Sequence, residues 1–372
     1  MKIAVDARSL STRPTGVGQY LMAAVNVWSE QQPELRFALL SNKPLHAAAE
    51  AALAKRENVE FHCCPTPLLA DNGLWWLISH FERCAREQRA DLLWGAAGLL
   101  PPTTRMPGLL TVHDLVYRSL PETMALRTRI AYGLLAGRSI IRADRIWAVS
   151  RFTAGEVERH YPRRKSRELI TGSGLNPLRE QHRFDPSQLD ELRQRYRVTE
   201  RSLLFVGTLE PRKNLRFLIS LMPALAAQGF QLIVVGCSGW GRSDLADVLK
   251  APGFPADAVR FCDYVSDADL QGLYKTVALF VSTSLMEGFG LPQLEAMAAG
   301  CPVVAAANSA MIEVVGDGGH LVEGWAPKDW ISAIEAVYAA RDDYRLRAVQ
   351  AAAMHEMAHA CAQAGVALDG LR

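Results

Sequence analysis

No stretch of this 372-residue chain stays apolar for the roughly 18–20 residues that a membrane-spanning helix needs, which argues against a helical integral membrane protein. The opening segment, Met1 to Arg8, meets charge too soon for a secretory apolar core, so a cytoplasmic protein is expected. Seven cysteines, an odd number, include no C-x-x-C pair; only Cys63 and Cys64 adjoin. They form no disulfide framework and read as reduced, mostly buried small apolar residues. Charge of one sign is also lacking: 41 Lys and Arg against 39 Asp and Glu leave a formal +2, and neither a nucleic-acid partner nor an acidic disordered tail is expected.

What is present suits two α/β domains, since the length exceeds one ordinary core and 49% apolar residues can fill two. Short apolar runs alternate with longer helical patterns, the signature of parallel sheets wound by helices. The expected strands of the first half are 3–5, 37–40, 59–61, 92–94, 109–112, 146–149 and 169–171. Those of the second half are 203–206, 232–235, 259–262, 279–282 and 303–305. Between the sets, Gly172-Ser173-Gly174-Leu175-Asn176-Pro177 breaks structure, which puts a boundary near Pro177. The polar segment from Gln181 to Thr199 is expected to open the second domain with a helix. The expected division is 1–177, 178–350 and a helical tail, 351–372, packing back on the first domain.

The segment Glu287-Gly288-Phe289-Gly290-Leu291-Pro292-Gln293-Leu294-Glu295 follows the apolar run Ala278 to Val281 and leads into Ala296 to Gly300. Strand, glycine loop and helix in that order place free backbone N–H groups and the positive end of a helix dipole where they can cradle a diphosphate. Two glutamates alone would more simply be an acidic first helical turn. Gly16 and Gly18 follow the first strand, His113 ends another, and Thr208 to Lys213 follow the first strand of the second half. All lie at strand carboxyl ends, where open α/β sheets bind ligands. His113 alone is more economically a structural histidine, and the Thr15–Gly18 turn alone carries no weight.

Taken together, these segments resemble the retaining GT-B glycosyltransferases of family 4, the group 1 glycosyl transferases. The likeness rests on the Glu287/Glu295 element, on Asp263-Tyr264-Val265-Ser266-Asp267, on Gly300-Cys301-Pro302-Val303-Val304 and on Glu313-Val314-Val315-Gly316-Asp317-Gly318-Gly319. It extends to Phe205-Val206-Gly207-Thr208-Leu209-Glu210-Pro211-Arg212-Lys213-Asn214, Thr15-Gly16-Val17-Gly18-Gln19-Tyr20 and Thr111-Val112-His113-Asp114-Leu115, and so runs nearly end to end. The resemblance implies two Rossmann-like doubly wound domains facing across a cleft, the first for acceptor and the second for a nucleotide-sugar donor. It implies retention of anomeric configuration without a metal, and the chain offers no obvious aspartate pair for one.

By the same resemblance Lys213 grips the donor diphosphate, Glu295 holds the ribose, Glu287 contacts the transferred sugar and His113 lies near sugar and phosphate. Gly16, Gly18, Thr208, Arg212, Val265, Phe289, Gly290 and Leu291 complete the donor site. Glu287 is not assigned as a covalent nucleophile. One position departs from the family, in which an arginine commonly follows the glycine that ends the first strand of the second domain; here it is Thr208, and Arg212 is a candidate to supply the charge. The segments look most like bacterial mannosyltransferases of surface-polysaccharide assembly, which implies GDP-mannose and a saccharide acceptor on polyprenyl diphosphate, in lipopolysaccharide O-antigen biosynthesis. The alternatives are a UDP-sugar-dependent transferase, a sugar-nucleotide epimerase of the same fold, and a non-catalytic relative, which would have no need of Lys213, Glu287 and Glu295 together.

Three further features need placing. His355-Glu356-Met357-Ala358-His359 fits the H-E-x-x-H pattern for zinc on a helix, but the thirteen residues after it hold no His or Glu for a third ligand, so no metal is expected. From 127 to 167, Arg127, Arg129, Arg138, Arg142, Arg145, Arg151, Arg159, Arg163, Arg164, Lys165 and Arg167 face only Asp144, Glu156 and Glu158. With Leu74-Trp75-Trp76-Leu77-Ile78, this reads either as a basic, indole-bearing face for the anionic inner-membrane surface or as a solvated helix face over core tryptophans. The tail from Ala351 to Leu371 lacks the aromatic residue common in relatives, so a different packing is expected there.

Overall fold

The structure is a computed structural model that describes residues 1–65, 72–124, 126–166, 169–177, 182–237, 245–263 and 265–369, without the side chains of 127, 128 and 131. The side chains of Arg127, Arg167 and Tyr264, named above, lie outside the described residues. The chain divides into two compact units, residues 1–179 with 356–372, and residues 180–355.

Among the described residues, the first unit holds seven parallel strands: β1 (Lys2–Asp6), β2 (Arg36–Ser41), β3 (Val59–Cys63), β4 (Leu92–Gly95), β5 (Gly108–Val112), β6 (Arg145–Ala148) and β7 (Leu169–Thr171). Their order is β3-β2-β1-β4-β5-β6-β7. The second unit holds β8 (Ser202–Val206), β9 (Gln231–Val235), β10 (Val259–Cys262), β11 (Leu279–Ser282), β12 (Val303–Ala306) and β13 (His320–Val322), in the order β10-β9-β8-β11-β12-β13. Each sheet reverses its winding direction once, between β1 and β4 in the first and between β8 and β11 in the second. Crevices form at such switch points. The doubly wound architecture expected from the alternating pattern is therefore present twice. β13 was not legible, because three residues of an edge strand beside Gly318 and Gly319 carry too little apolar pattern.

Strands buried on both faces read as continuous apolar runs. In β8, Leu203 and Phe205 point to one side with Leu232, Val234 and Val281, under the Leu215–Ala226 and Pro327–Ala339 helices. The first unit is filled differently, by indoles. Trp94 stacks parallel to Trp147 with centroids 5.8 Å apart, and Trp28 meets both edge-on at 5.4 and 5.8 Å. Buried indole N–H groups need acceptors. Trp94 donates to Thr111 Oγ1 at 2.9 Å and Trp147 to the Gly172 carbonyl at 2.9 Å.

The Met357–Asp369 helix packs on the Gly16–Gln31 helix within the first unit. Its contact face is small: Ala360, Cys361, Ala364 and Gly365 are buried, and a Cβ at Gly365 would lie 1.8 Å from Gln32 Nε2. So close an approach leaves no room for an aromatic side chain. Gln31 Nε2 donates to the Ala358 carbonyl at 3.1 Å and Arg145 Nε to the Ala367 carbonyl at 2.6 Å.

Two readings are corrected and one pattern is placed. Trp76 is fully buried and donates to the Cys64 carbonyl at 2.8 Å, while Trp75 is exposed, so no two-indole surface exists. Neighbours on a helix point about 100° apart and cannot share a face. His355 and Glu356 precede the helix that begins at Met357, so the H-E-x-x-H residues do not lie on one helical face. Finally, of the seven free cysteines only Cys84, Cys301 and Cys361 are buried, so the cysteines are not mostly buried.

Candidate active site

β8 ends at Val206 and is followed by Gly207, whose φ of +154° suits glycine, and the chain then turns through Thr208 and a 3₁₀ turn, Pro211–Lys213. Asn214, at φ +52°, closes the turn and starts the Leu215–Ala226 helix. This geometry folds Lys213 back over the strand end. A Cβ at Gly207 would sit 3.4 Å from Lys213 Cε, so the lysine stem lies on bare backbone. Thr208 is exposed.

On the other side of the switch point, β11 runs into Thr283, Ser284 and Glu287. The two loops are tied together: Leu285 N–H donates to the Arg212 carbonyl at 2.8 Å, and Thr283 Oγ1 donates to the Lys213 carbonyl at 3.2 Å. Glu287 is 6% exposed and fully engaged. Lys213 Nζ donates to its Oε1 at 2.5 Å, Ser284 Oγ to the same oxygen at 2.6 Å, and Arg212 Nη1 to Oε2 at 2.8 Å. Arg212 also donates to the Met286 carbonyl at 2.6 Å and to Glu210 Oε1 at 2.5 Å. Ser309, held at φ +47°, accepts the Glu287 N–H at 2.9 Å, and Asn308 donates to the Ser284 carbonyl at 3.0 Å.

Burial by itself would raise the Glu287 carboxyl, but the charges of Lys213 and Arg212, with the hydrogen bonds from Lys213 and Ser284, outweigh it and hold the carboxyl at about 2. The group is a carboxylate at every ordinary pH. It can accept hydrogen bonds from a sugar hydroxyl and stabilise positive charge; it cannot deliver a proton.

Gly290 caps the Leu291–Ala298 helix at φ +105°, and a Cβ there would lie 2.4 Å from Met311 Cε, so only glycine lets the loop turn into the helix. Phe289 is buried and meets the His355 ring edge-on at 5.9 Å, which leaves its loop to offer backbone rather than side chain. Leu291 is half-buried at the helix start. Glu295, in the second turn, accepts from Tyr274 Oη at 3.3 Å. Val265 is buried in the turn between β10 and the Asp267–Thr276 helix.

In the first unit, Gly16 and Gly18 open the Gly16–Gln31 helix, Gly16 exposed and Gly18 buried. His113 follows β5, and its Nε2–H donates to the Ala96 carbonyl at 2.8 Å. Its ring stands edge-on to Tyr20, 5.0 Å between centroids, so the helix that Gly18 opens touches the histidine. Burial lowers the His113 pKa, against the pull of the Ala96 hydrogen bond and the Asp114 charge. The structure thus groups Lys213, Arg212 and Glu287 in one hydrogen-bonded cluster, and Tyr20 with His113 in another.

The sequence reading missed Glu210, Ser284, Asn308 and Ser309. A polar residue just past a strand end was the available signal for the last three. Among the described residues no group of three His, Cys, Asp or Glu side chains gathers as for a metal ion.

Residues 200–340, which carry the Lys213/Glu287 cluster, match the family described as "Glycosyl transferases group 1". That segment is similar to the family, and the match covers this part of the chain. O-antigen chain mannosyltransferase B of Escherichia coli is 33% identical over 255 residues, 66% of this chain and 64% of that protein. D-inositol 3-phosphate glycosyltransferase of Geodermatophilus obscurus is 35% identical over 217 residues, 55% of this chain and 47% of that one. The chain spans less than two thirds of the length of each of these curated relatives. The crystal structure of Anabaena HepE in complex with UDP-glucose superposes with a TM-score of 0.74 over 100% of both chains at 21% identity, a likeness of fold, the GT-B fold.

Proposed function

We propose that the protein is a retaining, metal-independent glycosyltransferase that moves mannose from GDP-mannose to a lipid-linked saccharide in bacterial O-antigen assembly. The observation that carries the reading is the buried Lys213–Glu287 pair at a switch point, 2.5 Å long and beside the glycine-capped Leu291–Ala298 helix. A donor diphosphate needs cations and backbone dipoles where charge grows on the leaving phosphate. Lys213 supplies the cation, Leu291 and its neighbours supply helix-start N–H groups, and Glu295 lies one turn further on for the ribose. Glu287, ionised throughout, faces the developing charge on the sugar. The departing phosphate takes the proton of the acceptor hydroxyl, which attacks the face the phosphate leaves. The donor and acceptor classes draw support from the O-antigen mannosyltransferase likeness.

A lipid-borne acceptor also draws support from the Leu126–Arg142 helix. Leu126, Ile130, Leu134 and Ile141 form one exposed stripe at near i, i+4 spacing, and exposed Arg129, Arg138 and Arg142 flank it. Such a face suits an anionic bilayer surface. Among the described residues no helix is long and apolar enough to cross a membrane.

The test is a thermal-shift titration with GDP, UDP, ADP and GDP-mannose, with and without EDTA, followed by transfer to lipid-linked saccharides. Stabilisation by GDP and GDP-mannose and transfer indifferent to EDTA are expected. A response to UDP alone would overturn the mannose donor, and interconversion of free sugar nucleotides without acceptor would mark an epimerase instead.

A further inference from the structure

The first unit carries a pocket of about 350 Å³ at the end of its sheet opposite the one that bears His113. Gly108, the first residue of β5, lies in its wall, and His113 follows the last residue of that strand; about 16 Å of extended chain separates the two places. Nothing in the donor-site reading involves this pocket.

Its walls are stiff, built in part from Pro101, Pro102 and Pro107, whose φ angles are locked. Its charge is one-sided, with Arg105, Arg138, Arg142 and Lys165 against Asp144 among the lining residues. Asp144 is already engaged: Oδ1 pairs with Lys165 Nζ at 2.5 Å and Oδ2 accepts the Gly108 N–H at 2.9 Å. Lys165 and Asp144 therefore cancel, and three guanidinium groups remain. Arg142 is held in place by its bond to the Thr104 carbonyl at 2.5 Å, whereas Arg105 and Arg138 form no ion pair among the described residues.

Like charges gathered round a concavity repel one another and focus a positive field into it. The cost is relieved by an anion. Guanidinium forks match the oxygens of a phosphate in pairs, and several on one rim select that group over a single carboxylate. The volume admits a phosphate with part of the molecule that bears it.

We propose that this pocket is a second, non-catalytic anion site that binds a phosphate group. Two sources carry that chemistry, a free phosphate compound and the headgroup of an anionic phospholipid. The second is within reach because Arg138 and Arg142 stand on the helix whose exposed Leu134 and Ile141 could enter a bilayer surface.

The experiment uses the full chain saturated with GDP, or with UDP if that nucleotide binds, so that Lys213 is occupied. Inorganic phosphate and pyrophosphate are titrated calorimetrically, and vesicles of phosphatidylcholine with and without phosphatidylglycerol are sedimented with the protein. The same is done with Arg105→Ala/Arg138→Ala, two exposed positions whose loss spares the fold, and with Arg193→Ala, an exposed arginine of the second unit, as control. Saturable phosphate binding weakened about a hundredfold in the double variant, at roughly tenfold per charged hydrogen-bonding partner, supports the free-phosphate source. Binding only to phosphatidylglycerol vesicles, lost in the double variant and kept in Arg193→Ala, supports the lipid source. Phosphate and vesicle behaviour alike in wild type and double variant overturns the proposal. Nucleotide stabilisation should be unchanged in the double variant, so failure here and failure of the donor reading are separate results.

Discussion

Both units end parallel strands in glycine-bearing loops at a switch point, yet they hold opposite chemistry behind those loops. In the second, two cations and two carboxylates interlock: Lys213 and Arg212 on Glu287, and Arg212 on Glu210. In the first, His113 rests on a neutral wall in which Tyr20 meets Thr111 at 3.2 Å and the indoles of Trp94 and Trp147 lie behind. The lowered pKa of His113 keeps that wall neutral, while the carboxyl of Glu287 at about 2 keeps the other charged. The contrast teaches that one kind of loop can front a charged, interlocked cluster in one unit and a neutral aromatic wall in the other; on the proposed function, the charge of a diphosphate would fall to the second.

The comparison breaks most visibly at Lys213. Lys213→Ala should lower turnover by roughly 10²–10³-fold, as losing one charge-stabilising donor does elsewhere, and should abolish nucleotide stabilisation. Unchanged kinetics and thermal shifts would remove the phosphate role. Glu287→Gln comes next, with a loss of about a hundredfold in kcat at a near-normal donor KM. The same variant tests the electrostatics. The Glu287 pKa falls on folding, from 4.5 to about 2, so its stabilisation is fully present above pH 4.5 and is lost as pH drops toward 2. Urea midpoints should therefore decline between pH 4.5 and 2.5 more steeply in wild type than in Glu287→Gln; parallel curves would contradict the clamp.

Arg212→Lys sharpens the contrast, since a lysine cannot reach Glu287, Glu210 and the Met286 carbonyl together. A kcat reduced about tenfold with donor KM unchanged is expected if Arg212 works through Glu287. A risen KM would return Arg212 to the phosphates in place of the arginine absent at Thr208. The smallest effect is expected at His113. Because its pKa is lowered in the folded state, its contribution to stability is complete above its ordinary 6.5 and falls away below. Transfer by wild type should then be flat from pH 7 to 8, and His113→Gln should cost less than Glu287→Gln. A sigmoid centred near pH 7 that vanishes in the variant would show a titrating, charge-bearing histidine.

Much of this was legible without coordinates. Among the described residues, twelve of the thirteen strands stand where apolar runs predict them, and the loops at Gly207 and Gly290 adopt positive φ where glycine occurs. Trp76 was misread because adjacency in sequence suggested adjacency on a surface, and a helix separates neighbours by about 100°. Ser284, Asn308 and Ser309 escaped because a hydroxyl or amide after a strand has many uses, and only its partner reveals which.

The sequence by itself determined two parallel sheets, the glycine turns at their strand ends and the residue types available there, because those follow from local periodicity and backbone sterics. Only the tertiary structure decided that Lys213 and Glu287, 74 residues apart, share one hydrogen bond, and that Arg212 spends its fork on carboxylates. Both depend on β8 lying beside β11, a neighbour relation set by helical crossovers and core packing across the whole unit, which no local pattern encodes.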